Sequence, residues 1–149
     1  MRAAFPNASN TNASSCVLRV ETANGVLLIP GDIEARTEAE LVGREGPALR
    51  AEVLVVPHHG SRGASSPAFV AAVGPRDALF STGYQNRFRF PSNEVLARYR
   101  ARGARLHDTA RAGAITVRLG GPEPPEVSYY RVERRRFWHT PLADPPGNP

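Results

Sequence analysis

Apolar residues in this chain fall in short blocks that alternate between two rhythms, and that alternation predicts an α/β fold. The run Val53-Leu54-Val55-Val56 is apolar at successive positions, as in a strand covered on both faces, and Pro57 ends it because proline has no N–H for a ladder. That places a strand at 52–57. Strands are also expected at 16–22 and 26–30, joined through Asn24-Gly25, a strong hairpin signal. Ile33 to Val42 has helical spacing, with Glu38 and Glu40 outward and Gly43 as the stop. Ser65-Ser66-Pro67 starts a second helix, with Phe69, Val70 and Val73 on one face and Gly74-Pro75 at its end. A strand at 77–81 precedes a third helix, opened by Ser92-Asn93-Glu94, carrying Val95, Leu96 and Tyr99 on its apolar face and capped by Gly103. Strands at 104–107 and 114–119 follow, with a further one at 127–132.

The length, 149 residues, suits one domain, expected over 1–120, with 121–149 a partly disordered Pro/Arg-rich extension. No apolar run approaches the roughly 18 residues of a membrane span. The opening Met1-Arg2-Ala3-Ala4-Phe5-Pro6 has no apolar stretch of signal-peptide length, so no export signal is expected, and Asn7 to Ser15 reads as a loop. Cys16 is the only cysteine, which excludes an internal disulfide and a thiolate metal site. Set in Cys16-Val17-Leu18, it reads as a small buried hydrophobe. All 19 basic residues are arginine and the net charge is +5. Arginine forks onto phosphate, so this surface suits a polyanion, although a GC-rich coding sequence produces the same bias.

Candidate chemistry sits at the strand tips. Pro57 puts His58 and His59 at the end of a buried strand, the edge where open α/β sheets bind ligands, and imidazole serves there as metal ligand or acid/base. Val26-Leu27-Leu28-Ile29 runs through Pro30-Gly31 into Asp32, so a carboxylate at position 32 and an imidazole at position 58 are expected to converge on one rim. Ser61 would orient a ligand, meet a phosphate or satisfy its own turn. His107 is expected to pack or cap, and His139 to be solvated. Arg134 to Arg136 beside Phe137 and Trp138 read as a base-stacking run or a solvated tail.

Taken in order, the segments are Asn12-Ala13-Ser14-Ser15-Cys16-Val17-Leu18, Gly31-Asp32-Ile33-Glu34, Val56-Pro57-His58-His59-Gly60-Ser61, Pro75, Ser81-Thr82-Gly83-Tyr84-Gln85-Asn86-Arg87-Phe88, Asp108-Thr109 and Gly113-Ala114-Ile115. This order resembles the C-terminal metallo-β-lactamase-like domain of the ComEC family of DNA-uptake channels, over residues 8–120. The resemblance implies half of a metallo-β-lactamase αββα sandwich, a mixed sheet with flanking helices. Family members with an intact site open the domain with a His-x-His-x-Asp-His loop. The four histidines here, at 58, 59, 107 and 139, cannot form it, so only the C-terminal half is expected.

By the same resemblance Asp32 matches the carboxylate that bridges two metals, and His58 the late histidine ligand, with His59 the alternative. Asn12 stands where many relatives keep a histidine. Catalysis would rest on Asp32, His58 and His59, and substrate contacts on Ser61, Asn86, Arg87 and Arg89. Phe90 replaces a histidine that many relatives carry before the proline, which removes a proton donor. The implied cofactors are two divalent ions, zinc or manganese, weakly held or absent in this fragment. Such ions, about 3.5–4 Å apart, clamp the attacking and leaving oxygens of a phosphodiester and need no protein nucleophile.

The expected function is therefore a metal-dependent phosphodiesterase or nuclease of DNA uptake in natural transformation, completed by its missing half. Single-stranded DNA, the membrane channel, the missing N-terminal half and a second copy docked on the uncovered sheet are the expected partners. The chain itself should be soluble, in a family whose context is the inner (cytoplasmic) membrane. Two rivals remain: a phosphorylcholine-esterase-like hydrolase sharing His-His-Gly-Ser, and a catalytically inactive basic module that binds DNA or docks on a partner.

Overall fold

Strand and helix alternate through residues 11–121 and 123–139, the residues described by a computed structural model of the chain. Strand β1 (Leu18–Thr22) folds back on β2 (Gly25–Ile29) as an antiparallel hairpin, Leu18 opposite Ile29 and Thr22 opposite Gly25. The tight turn is Ala23-Asn24, one residue earlier than expected. Gly25 is glycine for another reason: a Cβ there would collide with the ring of Pro125.

Strands β3 (Val53–Val55), β4 (Asp77–Phe80) and β5 (Arg105–Asp108) continue the sheet in parallel, in the order β1-β2-β3-β4-β5. Each parallel step crosses over through one helix: α1 (Ala35–Glu45), α2 (Pro67–Val73) and α3 (Asn93–Arg100). Right-handed crossovers that all advance in one direction put their helices on one face. There Leu28, Leu54, Val56, Ala78 and Phe80 of the sheet side meet Leu41, Phe69, Val70, Val73, Val95 and Tyr99 of the helices. Val53, Asp77, Leu79 and His107 occupy the alternate positions and are buried too, because a second hairpin covers them. It pairs β6 (Ile115–Arg118) with β7 (Glu126–Tyr129), and the Tyr129 hydroxyl reaches His107. Single-turn helices α4 (Thr109–Ala112) and α5 (Tyr130–Glu133) precede β6 and follow β7. The architecture is α/β, with a mixed five-stranded sheet flanked by helices.

Four expectations change. Helix α1 starts at Ala35 rather than Ile33 and runs through Gly43 to Glu45. It stops at Gly46-Pro47, where proline disfavours helix in the residue before it and Gly46 takes φ 51°. Asp32 to Glu34 thus stay in the loop at the strand tip. Glu38 points inward and is fully buried, because its carboxylate accepts from the N–H groups of Ser65 (2.5 Å) and Ser66 (2.7 Å), which have no partner within α2. Cys16 is exposed, lying just before the outermost strand. The strand expected at 127–132 ends earlier, at Tyr129, and the Tyr130 N–H bonds Ala114 O as α5 begins. The expectations for Met1 to Pro6, for residues 7–10 and for residues 140–149 fall outside the described residues. No helix among those described is long and apolar enough to cross a membrane.

Candidate functional site

Because β2 to β5 are parallel, their carboxyl ends share one edge, and the segments leaving them meet there. From β2 the chain runs through Pro30-Gly31 to Asp32, from β3 to His58 and His59, from β4 to Ser81, and from β5 to Thr109. His58 and His59 are both left-handed, at φ 47° and 55°. For residues with a Cβ that conformation costs about 1–2 kcal/mol each. Hydrogen bonds on both sides enforce it: His58 N–H to Gly31 O (3.1 Å), Ser61 N–H to His58 O (2.9 Å) and Ser92 N–H to Gly60 O (3.0 Å). Gly60 completes the bend at φ 83°, and a Cβ there would lie 2.7 Å from Pro91 and 3.0 Å from the Phe80 ring. Strain held this firmly concentrates at functional sites.

His59 Nδ1 lies 2.7 Å from Ser81 O. A carbonyl only accepts, so Nδ1 carries the proton of the neutral ring and Nε2 keeps its lone pair. Nε2 stands 3.6 Å from Asp32 Oδ1. Two acceptors oppose each other, and only a proton or a cation between them makes the contact favourable. Asp32 is held in turn by its N–H on Ser15 Oγ (3.1 Å). Both side chains are 46% exposed, which leaves the gap open to solution.

His58 turns to a different acid. Its buried Nδ1 approaches Glu34 Oε1 at 3.3 Å, outside hydrogen-bond geometry, and has no other partner among the described residues. Glu34 Oε1 also accepts from Asn12 Nδ2 at 3.0 Å. Asp32 thus has the alternative histidine, His59, as its neighbour, while His58 and Asn12 share Glu34. Sequence reasoning gave Glu34 no role, although it stands two residues beyond Asp32 on the same strand tip. Among the described residues, no three His, Cys, Asp or Glu side chains gather closely enough to hold a metal by themselves.

The remaining candidates separate by geometry. Ser61 Oγ accepts from the Gly63 N–H at 3.4 Å, within its own turn. Asn86 spends its amide on the backbone of its loop, donating to Phe90 O (2.7 Å) and Gly83 O (3.2 Å) and accepting from the Phe90 N–H (2.9 Å). Arg87 and Arg89 are exposed, as is Arg62 beside Ser61, and none of the three has an ion-pair partner among the described residues.

A second polar cluster lies toward the opposite edge, where Asp77 and Arg105 begin their strands. The Asp77 carboxylate is fully buried and accepts from His107 Nε2 (2.7 Å), both arms of the Arg105 fork (2.8 Å each) and Arg76 Nε (2.8 Å). Burial pushes its carboxyl up, but the His107, Arg105 and Arg76 hydrogen bonds outweigh this and hold it well below the usual carboxylate range. His107 Nδ1 then accepts from the Tyr129 hydroxyl at 2.6 Å, so the cluster fastens β7 to the main sheet. Burial, with the Asp77 charge, raises that phenol.

No protein-family model matches the chain. Over 109 residues, 73% of its length, it is 43% identical to competence protein ComA of Neisseria gonorrhoeae. It is 39% identical over 106 residues to YcaI of Escherichia coli, and 34% identical over 113 residues to ComE operon protein 3 of Bacillus subtilis. The aligned stretch spans 16%, 14% and 14% of those proteins, so the chain corresponds to a small part of each. The chain is therefore similar to a segment of larger proteins, one of them named for competence.

Proposed function

We propose that the chain carries part of a metal-dependent phosphodiesterase site, that of a nuclease acting in DNA uptake, within the C-terminal half of a metallo-β-lactamase-like domain. The reading rests on one observation: His59 Nε2 stands 3.6 Å from Asp32 Oδ1. Zinc binds histidine nitrogen at about 2.0–2.1 Å and carboxylate oxygen at about 2.0–2.2 Å, which puts two ligands of a tetrahedral ion about 3.4 Å apart. The observed gap is close to that and long for a hydrogen bond. The Nδ1–H bond to Ser81 O is also the support that a ligating histidine needs.

Asp32 and His59 thus fit one divalent ion, and an oxygen and nitrogen donor set suits zinc or manganese. His58, with its partnerless Nδ1 beside Glu34, and Asn12 on the same carboxylate are the residues that would hold a second. Such ions supply Lewis-acid stabilisation of a phosphoryl oxygen and lower the pKa of water. The chain's own groups do the positioning. Ser81 fixes the His59 ring, Ser15 fixes the Asp32 backbone, and the strained loop holds both histidines at the rim. Arg62, Arg87 and Arg89 would draw a phosphate backbone toward it without reading sequence.

Calorimetric titration of the full chain with zinc and with manganese tests the reading. The expected result is binding that weakens at least about tenfold in Asp32→Asn and in His59→Gln, because removing one of two protein donors removes half the site. Unchanged affinity in both variants overturns it. With the upstream half supplied, cleavage of single-stranded DNA in preference to a phosphorylcholine ester separates the nuclease from its hydrolase rival, and no cleavage of either favours the inactive module.

A further inference from the structure

We propose that the loop joining β4 to α3 is a base-stacking platform for a single-stranded nucleic acid, with Tyr84 and Phe88 as its plates and Arg87 and Arg89 as its phosphate contacts. The proposal rests on the functional reading above only for what lies at the platform's end. Single exposed apolar side chains are ordinary on protein surfaces. Here two aromatics four positions apart are exposed together, Tyr84 at 63% and Phe88 at 61%, and arginines flank Phe88 on both sides in sequence.

The loop is built to hold them out. Asn86 ties Gly83 to Phe90, and Gln85 and Arg89 take left-handed φ of 51° and 54°. The Phe88 ring stacks on Phe90 with centroids 5.5 Å apart and planes 19° from parallel. Phe90 in turn meets His58 edge-on at 6.0 Å. The Arg87 guanidinium lies over Phe88, 4.7 Å from its centroid. A row of flat groups therefore leads from solvent to the histidine rim.

A nucleobase entering this row stacks on the Arg87–Phe88 pair, or takes the guanidinium's place on the ring and frees it for the neighbouring phosphate. Arg87 and Arg89 have no competing carboxylate among the described residues. Alternation of aromatic and cation matches the alternation of base and phosphate along a single strand. A duplex hides its base faces, and an apolar protein partner would leave both guanidinium groups unpaired. Because Phe88 already packs on Phe90 and beneath Arg87, little entropy is lost when a base settles on it.

Fluorescence anisotropy of the full chain with labelled oligothymidylate of about 20 nucleotides, an abasic strand of equal length and a duplex, all in chelator, tests the platform. Oligothymidylate should bind at least about tenfold tighter than the abasic strand, which offers phosphates without bases. The Tyr84→Ala/Phe88→Ala double variant should lose that margin and keep its abasic affinity. Arg87→Gln and Arg89→Gln should weaken both strands and reduce the salt slope by about 0.7 each. Equal binding of the two strands by the unaltered chain, a margin that survives the double variant, or preference for duplex overturns the proposal. The abasic comparison uses no variant, so misfolding cannot mask it. If the platform alone is wrong, the metal titration still responds to Asp32→Asn. If the metal reading alone is wrong, ions fail to bind while the oligothymidylate margin persists.

Discussion

Replacing Asp77 with asparagine tests how the second hairpin is fastened to the sheet. Asp77 is fully buried and receives four hydrogen bonds, from Arg105 Nε and Nη2, Arg76 Nε and His107 Nε2, at 2.7–2.8 Å. Asparagine keeps the shape but offers one oxygen. If that oxygen stays with His107, its amide N–H₂ faces Arg76 Nε and Arg105 Nη2, donor against donor. Removing one partner of a buried ionic group costs about 3–5 kcal/mol when the orphaned charge stays dry. Here the arginine side chains are 51% and 38% exposed and recover water, so their share falls toward the low value of surface pairs. His107, at 3% exposure, cannot recover water, which keeps the one remaining oxygen on it and leaves the unfavourable N–H₂ to the arginines. The net loss should be about 2–3 kcal/mol, which lowers the melting temperature of a domain this size by roughly 10 °C.

The pH dependence gives a second, independent reading. Asp77 is held below the ordinary carboxylate range when folded, so its contribution is fully present above the unfolded value of about 3.9 and drains away as pH falls below it. Thermal melts followed by circular dichroism should therefore show a gap between the parent chain and Asp77→Asn that is widest above pH 5 and narrows through pH 4 and below. A neutral-pH difference under about 0.5 kcal/mol, the range of ordinary surface substitutions, or a gap of constant width in acid refutes the argument.

Glu38→Gln should destabilise by about 1.5–3 kcal/mol in urea denaturation, because the amide can accept from only one of the Ser65 and Ser66 N–H groups while its own N–H₂ opposes the other. A change below about 0.5 kcal/mol would mean that the α2 N-terminus finds water instead. Gly60→Ala should cost at least about 2 kcal/mol from its positive φ and its contact with Pro91, and should weaken zinc binding along with stability. An alanine variant equal to the parent in both measurements contradicts the bend described here. Cys16, being exposed, should react fully with a thiol reagent in the native chain without denaturant, and protection until unfolding would refute its position.

The pattern of apolar blocks made most of the architecture legible, since Val53-Leu54 is buried on both faces and Ser66 and Ser92 cap the helices that follow them. Parallel pairing then sends successive strand tips to one edge, which is why Asp32 and the histidine pair meet although Asp32 and His58 stand 26 positions apart. What stayed hidden depends on partners distant in the chain. A helical wheel places Glu38 outward because it cannot register the bare N–H groups of α2, and Gly25 looks like a turn residue until Pro125 arrives over it. Periodicity also says nothing about which histidine faces Asp32, because it describes the spacing of side chains and not the φ of a two-residue bend. Two successive left-handed residues send neighbouring side chains to different sides, so adjacent imidazoles meet different acids, His59 with Asp32 and His58 with Glu34. The backbone hydrogen bonds donated by the N–H groups of His58, Ser61 and Ser92 hold this bend, and with it the position of each ring beside its own acid.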